Sequence, residues 1–339
     1  RDWSSDVCSS DLLKGNAELD TAFKSSGVEV SLACLGKNPI QQISILKSLV
    51  VKDVVIHSHL PRSEVICRIA FGVGGFIITR HNAENFFPKA PSSISRILSI
   101  WTTKKSLLIA ISDSVLNFLV GNRELNKSCE PSTVYYGYES RSQAMQKTVE
   151  YRPTARTNFK IGTVSRLVEQ KNLSLLIELT DELIREGLNV ETFIVGDGPL
   201  ERKLKLHSRD LNLLDNVHFL GRKEDVASFL SSLDLFILTS RYEGFGLVLL
   251  EAMDFKIPIV ASNISAIPEV LGVSHPGLFM PESLDSLVRK VKELLLSDKI
   301  RELVLDIQKS RLASFSVDRY LMQHLEIYQK YITRRLINK

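Results

Sequence analysis

The sequence predicts an α/β protein of two consecutive units, each a doubly wound parallel sheet. Three observations carry this. Short apolar runs recur without a two-residue alternation, as strands buried on both faces do. Helix-like segments alternate with these runs, and the β/α alternation breaks once at a polar stretch and then restarts. The length, 339 residues, suits two domains rather than one.

The start of the chain is set apart. Residues 1–12, RDWSSDVCSSDL, are rich in Ser and Asp, lack an initiating Met and read as a non-native leader, with a native flexible N-terminus as the alternative. Residues 17–26 read as a helix closed by Gly27. VEVSLACL (28–35), DVVIHSH (53–59), FIITRHN (76–82) and SLLIAIS (106–112) read as strands, and Ser112 as the cap of a helix from Asp113. The polar stretch 138–157, with ESRSQAMQK and Pro153, reads as a linker, with a surface helix inside one domain as the alternative.

The second alternation follows. FKIGTVSRL (159–167) is a strand running into a loop, and NLSLLIELTDELIREG is an amphipathic helix closed by Gly187. VETFIVGDG and NVHFLG are strands ending in glycine, and KEDVASFLSSL is a helix. LDLFILTS is a strand that delivers the chain to Glu243; GLVLLEAM starts a helix, and PIVAS is the next strand. LDSLVRKVKELLLSD and the closing VDRYLMQHLEIYQKYI are helical. The domains expected are 13–150, 151–315 and a C-terminal helix, 316–339, packed back on the first domain.

Composition excludes several classes. Hydrophobic residues make up 44% and charged residues 24%, an ordinary globular balance. The net charge of +4 comes without a dense basic block, which argues against a nucleic-acid binder. The four cysteines form no CxxC, so a zinc or redox site is not expected, and reduced thiols point to the cytoplasm. His57 and His59 form an H-x-H pair on one strand face with no Cys or carboxylate near in sequence, so metal ligation is not expected there either. No apolar run is long enough to span a bilayer.

The stretch EGFGLVLLEAM, 243–253, holds two carboxylates around a glycine-spaced apolar run. Gly244 and Gly246 let a ligand approach the backbone. A helix that starts at this point offers free N–H groups and the positive end of its dipole, which suits a phosphate. Glu243 and Glu251 on either side can accept hydrogen bonds from hydroxyl-bearing rings, and a nucleotide sugar has such rings at both ends of a pyrophosphate. The competing reading is a capping Glu and a solvated helix Glu. In GTVSRLVEQKN, 162–172, Arg166 and Lys171 flank a strand-to-helix turn, where two cations can neutralise a diphosphate; solvated surface cations are the alternative.

These stretches together resemble the retaining GT-B glycosyltransferases of family 4. SRLVEQKN, VGDGPL (195–200), VHFLGR (217–222), SRYEGFGLVLLEAM, PIVASNISAIPEV (258–270) and PGLFMPES (276–283) follow the family order at its separations. The resemblance implies two Rossmann-like domains facing a central cleft. It implies that Arg166 and Lys171 hold the donor diphosphate, that Glu243 contacts the donor sugar, and that the N–H groups of Phe245, Gly246 and Leu247 support sugar and phosphate. Glu251 then binds the ribose, and Gly196, Gly198, Gly221, Arg222 and Gly244 complete the donor side. In KGNAE (14–18), Gly15 and Asn16 match the glycine turn after the first strand; the resemblance thus implies that this strand belongs in the place of residues 1–12 and is missing. His81 matches the histidine near the reacting sugar.

The implied activity is transfer of a hexosyl unit from a nucleoside-diphosphate sugar to a hydroxyl, with retention and without a metal or cofactor. The implied acceptor is a lipid-linked or surface-polysaccharide glycan. A GT-B nucleotide-sugar epimerase and a non-catalytic nucleotide-sugar-binding subunit are the alternatives. Three positions depart from the pattern: Tyr136 replaces an Asn, Lys256 a helix-ending Gly, and Ala266 a Gly. Residues 94–108, with Arg96, Trp101, Lys104 and Lys105 among apolar residues, read as an amphipathic core helix or as a peripheral contact with the inner face of the cell membrane.

Overall fold

The computed structural model describes residues 38–49, 55–72, 75–87, 90–144 and 158–337. The expected leader, Gly15 and Asn16, the helix at 17–26, the strand at 28–35 and residues 145–157 of the polar stretch lie outside the described residues. The chain divides into two units: one comprises Asp2–Tyr136 with Asp318–Lys339, the other Gly137–Val317.

In chain order the first unit contains α1 (Pro39–Leu49), β1 (His57–His59), α2 (Pro61–Phe71), β2 (Ile77–Arg80), α3 (Ser92–Thr102), β3 (Leu107–Ala110), α4 (Asp113–Gly121) and β4 (Glu130–Thr133). The strands lie in the order β1-β2-β3-β4, all parallel. Ile77, Ile78, Leu108 and Ile109 are fully buried, as strands covered on both faces require. Alternation along β2 sends Ile78 and Arg80 to one face and Ile77 and Thr79 to the other.

The Arg80 face carries an ionic network. The Arg80 guanidinium donates to Glu64 on α2 at 2.8 Å and to Ser99 on α3 at 3.1 Å, and lies 4.5 Å over the Phe86 ring. Thr102 of α3 donates to the same Glu64 carboxylate at 3.1 Å. The opposite face packs Ile77, Leu107, Ile109 and Val134 against Tyr331, Ile327 and Tyr328. Those last three residues belong to the C-terminal helix, described after the second unit. Ser112 caps α4 by accepting from the Val115 N–H at 3.1 Å.

The second unit contains α5 (Arg141–Ala144), β5 (Phe159–Val164), α6 (Leu173–Arg185), β6 (Val190–Val195), α7 (Glu201–Asp210), β7 (Val217–Gly221), α8 (Val226–Ser232), β8 (Leu235–Leu238), α9 (Leu247–Asp254), β9 (Ile259–Ser262), α10 (Ile267–Leu271), β10 (Leu278–Phe279), α11 (Leu284–Leu296) and α12 (Asp298–Leu312). Helix α13 (Val317–Ile337) closes the chain and, from Asp318, belongs to the first unit. The second sheet is parallel, with the order β10-β9-β8-β5-β6-β7. That order reverses direction beside β5, so the loops after β5 and β8 leave the same end of adjacent strands.

Periodicity explains the helices of this unit. Leu173, Leu176, Ile177, Thr180 and Leu183 put one buried stripe on α6. Leu176, Ile177 and Leu183 share a core with Ile161, Ile194 and Leu235, all fully buried. Burying each such side chain is worth roughly 2 kcal/mol.

The expected stretch 94–108 is not one element. Helix α3 ends at Thr102, Lys105 takes a positive φ of 57°, and β3 begins at Leu107. Strand β4, EPST, went unread because it is polar and contains a proline, which suits its place at the edge of the sheet.

Candidate active site

The loops at the carboxyl ends of β5, β6 and β8 gather most of the predicted donor-side residues within the second unit. Gly196 has φ +132°, and an added Cβ would collide with the Ser165 carbonyl oxygen. At Gly198, with φ +156°, it would lie 2.5 Å from the Leu167 carbonyl oxygen. The glycines thus let the β6 loop lie backbone to backbone on the β5 loop, where the Leu167 N–H donates to Asp197 O at 2.8 Å. This packing accounts for both glycines. Gly221 needs its residue type for its φ of +64°, since nothing lies within 4 Å of an added Cβ. Arg166 and Arg222 are exposed.

Hydrogen bonds tie the β5 and β8 loops, among them those of the Arg241 guanidinium to Glu169 O at 3.4 Å and to the Glu169 carboxylate at 3.5 Å. Thr239 donates to Lys171 O at 2.8 Å, the Arg241 N–H to Gln170 O at 2.8 Å, and the Gln170 amide to Tyr242 O at 2.9 Å. The loops also share an ion pair: Lys171 Nζ donates to Glu243 Oε1 at 2.7 Å. Ser240 donates to the same oxygen at 2.6 Å. Glu243 is 5% exposed, so the pair sits where water screens it weakly.

Gly246, in the left-handed region with φ +86°, precedes α9 and provides no side-chain cap. The N–H groups of the first turn of α9 therefore find no side-chain acceptor at this position, the arrangement that favours an anion. The Phe245 side chain is buried and meets Phe315 edge-on at 5.5 Å, which leaves its backbone as the part that could meet a ligand.

Glu251, 7% exposed, accepts from Arg141 Nη1 at 3.1 Å. Three residues on, along the same helix, Asp254 accepts from Tyr138 Oη, Ser140 Oγ, Ser142 Oγ and the N–H groups of Arg141 and Ser142, at 2.6–3.1 Å. Burial works against the Asp254 charge, but the hydrogen bonds from Ser140, Ser142 and Arg141 outweigh it and hold the carboxyl below its usual range. Asp254, Arg141 and Ser240 were not singled out from the sequence. The available signal was the spacing of Asp254 from Glu251, which puts both acids on one face of a helix.

His81 lies in the other unit, one residue beyond β2. Its Nε2 is 3.0 Å from His59 Nδ1 and its Nδ1 is 2.5 Å from the Tyr136 hydroxyl. Tyr136, the residue that replaces the expected Asn, is therefore a partner of the predicted histidine. His57 bonds to Tyr328 of α13 at 2.9 Å and to Thr79 at 2.7 Å, and its ring centroid lies 4.3 Å from that of His59. Burial, reinforced by the neighbouring rings, pushes His57 and His81 down to about 3 and His59 down to about 4. Among the described residues no group of three ligating side chains is arranged to hold a metal.

Two parallel-sheet units, one of them with paired loops and an uncapped helix start beyond its strands, define the class: the fold is that of the GT-B glycosyltransferases. Anabaena Alr3699/HepE, solved in complex with UDP, matches with a TM-score of 0.76 at 19% identity, over 94% of this chain and 90% of that one. Residues 148–308, within the span of the second unit, match the family model of glycosyl transferases group 1. N-acetyl-alpha-D-glucosaminyl L-malate synthase of Bacillus anthracis is 26% identical over 232 residues, 66% of this chain and 60% of that protein. The capsular polysaccharide biosynthesis glycosyltransferase CapM of Staphylococcus aureus is 24% identical over 159 residues, 46% of this chain and 41% of that protein. The chain thus spans about half the length of these relatives.

Proposed function

We propose that the protein is a retaining glycosyltransferase that moves a hexosyl unit from a nucleoside-diphosphate sugar to a hydroxyl of a glycan, lipid-linked or part of a surface polysaccharide. The observation that carries this reading is the Lys171–Glu243 ion pair, set between the β5 and β8 loops next to the uncapped start of α9. Arg166 and Lys171 neutralise the diphosphate, the N–H groups of Phe245, Gly246 and Leu247 take its oxygens, and Glu243 holds the sugar. Glu251 takes the ribose hydroxyls, exchanging the Arg141 guanidinium for them. The relatives support the class of ligand. HepE is also solved with UDP-glucose and with UDP and glucose, and CapM is named for capsular polysaccharide biosynthesis.

In the reaction the bond from the anomeric carbon to the phosphate oxygen breaks as the bond to the acceptor oxygen forms on the same face. The acceptor proton passes to the departing phosphate oxygen. Charge on that phosphate is stabilised by Arg166, Lys171 and the start of α9, so the protein contributes position and electrostatics and needs no metal or cofactor. An acceptor carried on a lipid would bring the chain to the inner face of the cell membrane. The test is incubation of UDP- and GDP-hexoses with glycan acceptors, the anomeric proton of the product being read by NMR. The reading expects the donor configuration to be kept and Glu243→Gln to lose about 100-fold in kcat. An inverted product, or transfer undiminished in Glu243→Gln, would sink it.

A further inference from the structure

One face of the first sheet turns from apolar to polar as it runs to the carboxyl ends of its strands. β1 and β2 pair His57 with Ile77 and His59 with Thr79, so these four side chains share that face, and His81 follows one residue beyond β2. Toward the amino ends, Ile77 shares a core with Tyr331 of α13. Next, both nitrogens of His57 are taken, by Tyr328 at 2.9 Å and by Thr79 at 2.7 Å. At the carboxyl end both nitrogens of His81 are taken as well, Nδ1 by the Tyr136 hydroxyl at 2.5 Å and Nε2 by His59 Nδ1 at 3.0 Å. His59 is the exception among the three sheet histidines. It ends β1, is partly exposed, and among the described residues its Nε2 has no hydrogen-bond partner.

This chain of bonds has a preferred direction. Burial, with the neighbouring rings of His57, His59, His81 and His324 second, keeps the three sheet histidines neutral, so each carries one proton and one lone pair. A phenol donates more readily than a neutral imidazole, and an imidazole nitrogen accepts more readily than a phenol oxygen. Tyr136 therefore donates to His81 Nδ1, His81 Nε2–H donates to His59 Nδ1, and the last proton lies on His59 Nε2, pointing out of the pair. The backbone fixes where that ring stands. Leu60, the next residue, is held at φ 70° and ψ 152°, a region that residues other than glycine rarely occupy. The His59 carbonyl oxygen is held in turn by Ser63 Oγ of α2. Strain of this kind persists only where the surroundings impose it, and it gathers at functional sites.

We propose that His59 Nε2–H donates to a sugar hydroxyl at the carboxyl end of the first sheet, and that His81 and Tyr136 are positioning residues behind it. The place agrees with the rule that ligands of doubly wound sheets sit beyond the carboxyl ends of the strands. The chemistry suits a neutral hydroxyl oxygen: the donor is uncharged, and no cation bonds to His57, His59 or His81, so a phosphate would find no charge-assisted contact here. His81, which the family resemblance places near the reacting sugar, then acts through His59, because both of its own nitrogens are taken. Tyr136 in place of Asn belongs to the same device, since a hydroxyl there supplies the proton that orients His81. The inference deepens the proposed function and rests on it for the sugar. The hydroxyl is that of the donor hexose or of the acceptor glycan, and substrates lacking single hydroxyls tell the two apart.

The test compares hexose transfer by His59→Asn and His59→Gln. An asparagine amide reaches the place of Nδ1 and keeps the bond to His81, whereas a glutamine amide reaches the place of Nε2 and keeps the outward donor. His59→Asn should lose about 10-fold in kcat/KM and His59→Gln no more than about 3-fold. A merely structural partner of His81 would give the reverse order. UDP- or GDP-hexoses and glycan acceptors, each lacking one hydroxyl, identify the group: with one of them the wild type should fall to the level of His59→Asn, and that variant should fall no further. In the free chain, NMR of the imidazole nitrogens should find the protons of His59 and His81 both on Nε2, and Tyr136→Phe should shift the His81 signals. Equal losses or the reverse order in the two variants, undiminished transfer by His59→Asn, deoxygenation losses that add to that variant's at every position, or a His59 proton on Nδ1 would each overturn the inference and leave the proposed function standing. A folded wild-type chain that transfers no hexose would refute the proposed function, and this inference with it.

Discussion

At Gly196 the positive φ and the Ser165 carbonyl oxygen exclude any side chain. Gly196→Ala should lower stability by at least about 2 kcal/mol, read as a loss in urea midpoint at constant slope. Lys256 is the opposite case. It is an exposed residue held at φ 53°, just beyond α9, where the family pattern led us to expect Gly. Lys256→Gly should therefore stabilise by about 1 kcal/mol, visible as a higher thermal midpoint. No change would mean that the lysine gains locally what its backbone loses. Gly196 was legible as a glycine turn from the sequence, but its packing partner was not, because Ser165 comes near only once β5 and β6 are paired.

Among the elements, the polar segment that leads into α5 is held by one carboxylate. Asp254→Asn would replace an ionised acceptor of five hydrogen bonds, and should cost about 2 kcal/mol while opening residues 138–142 to limited proteolysis. Because the folded carboxyl titrates below its usual range, its contribution is complete above about pH 4 and is lost as the pH falls through the folded value. The difference between variant and wild type should shrink there. The histidines of the first unit work over a higher window. In the fold His57, His59 and His81 stay neutral, while the unfolded chain takes up protons below about pH 6.5. Their contribution is complete above that pH and falls as the pH drops toward 4. The thermal midpoint of the first unit should decline from pH 7 to pH 5, and His81→Gln should flatten the slope. An unchanged slope would show that the ring is not buried in its neutral form.

For the whole molecule, legibility divides between the two units. From β5 to α12 the strands and helices that were read correspond to elements within a few residues, because strands buried on both faces write themselves as unbroken apolar runs, while α7, α10 and β10 went unread. In the first unit the rule inverts. Arg80, Glu64 and Arg68 lie inside, so the helices that pack on them bury serine and threonine and expose isoleucine. Such helices give a misleading pattern: α1 and α2 went unread, and the outward face of α3 read first as core. Within the candidate site the motif residues on the β5 and β8 loops could be read from spacing. Arg141 and Asp254 could not, since Asp254 meets its partners more than a hundred residues away in sequence.

The central claim is that the loops after β5 and β8, with the start of α9, form a nucleotide-diphosphate site. Calorimetric titration of UDP, GDP and ADP into the wild-type chain and into Arg166→Ala/Lys171→Ala tests it most directly. The account predicts that one of the three binds, and that the double variant, folded by its thermal transition, loses at least ten-fold in affinity, as expected for two charge-assisted contacts worth about 1 kcal/mol or more each. Binding of equal strength in the variant, or no binding of any nucleotide to a folded wild-type chain, would contradict it.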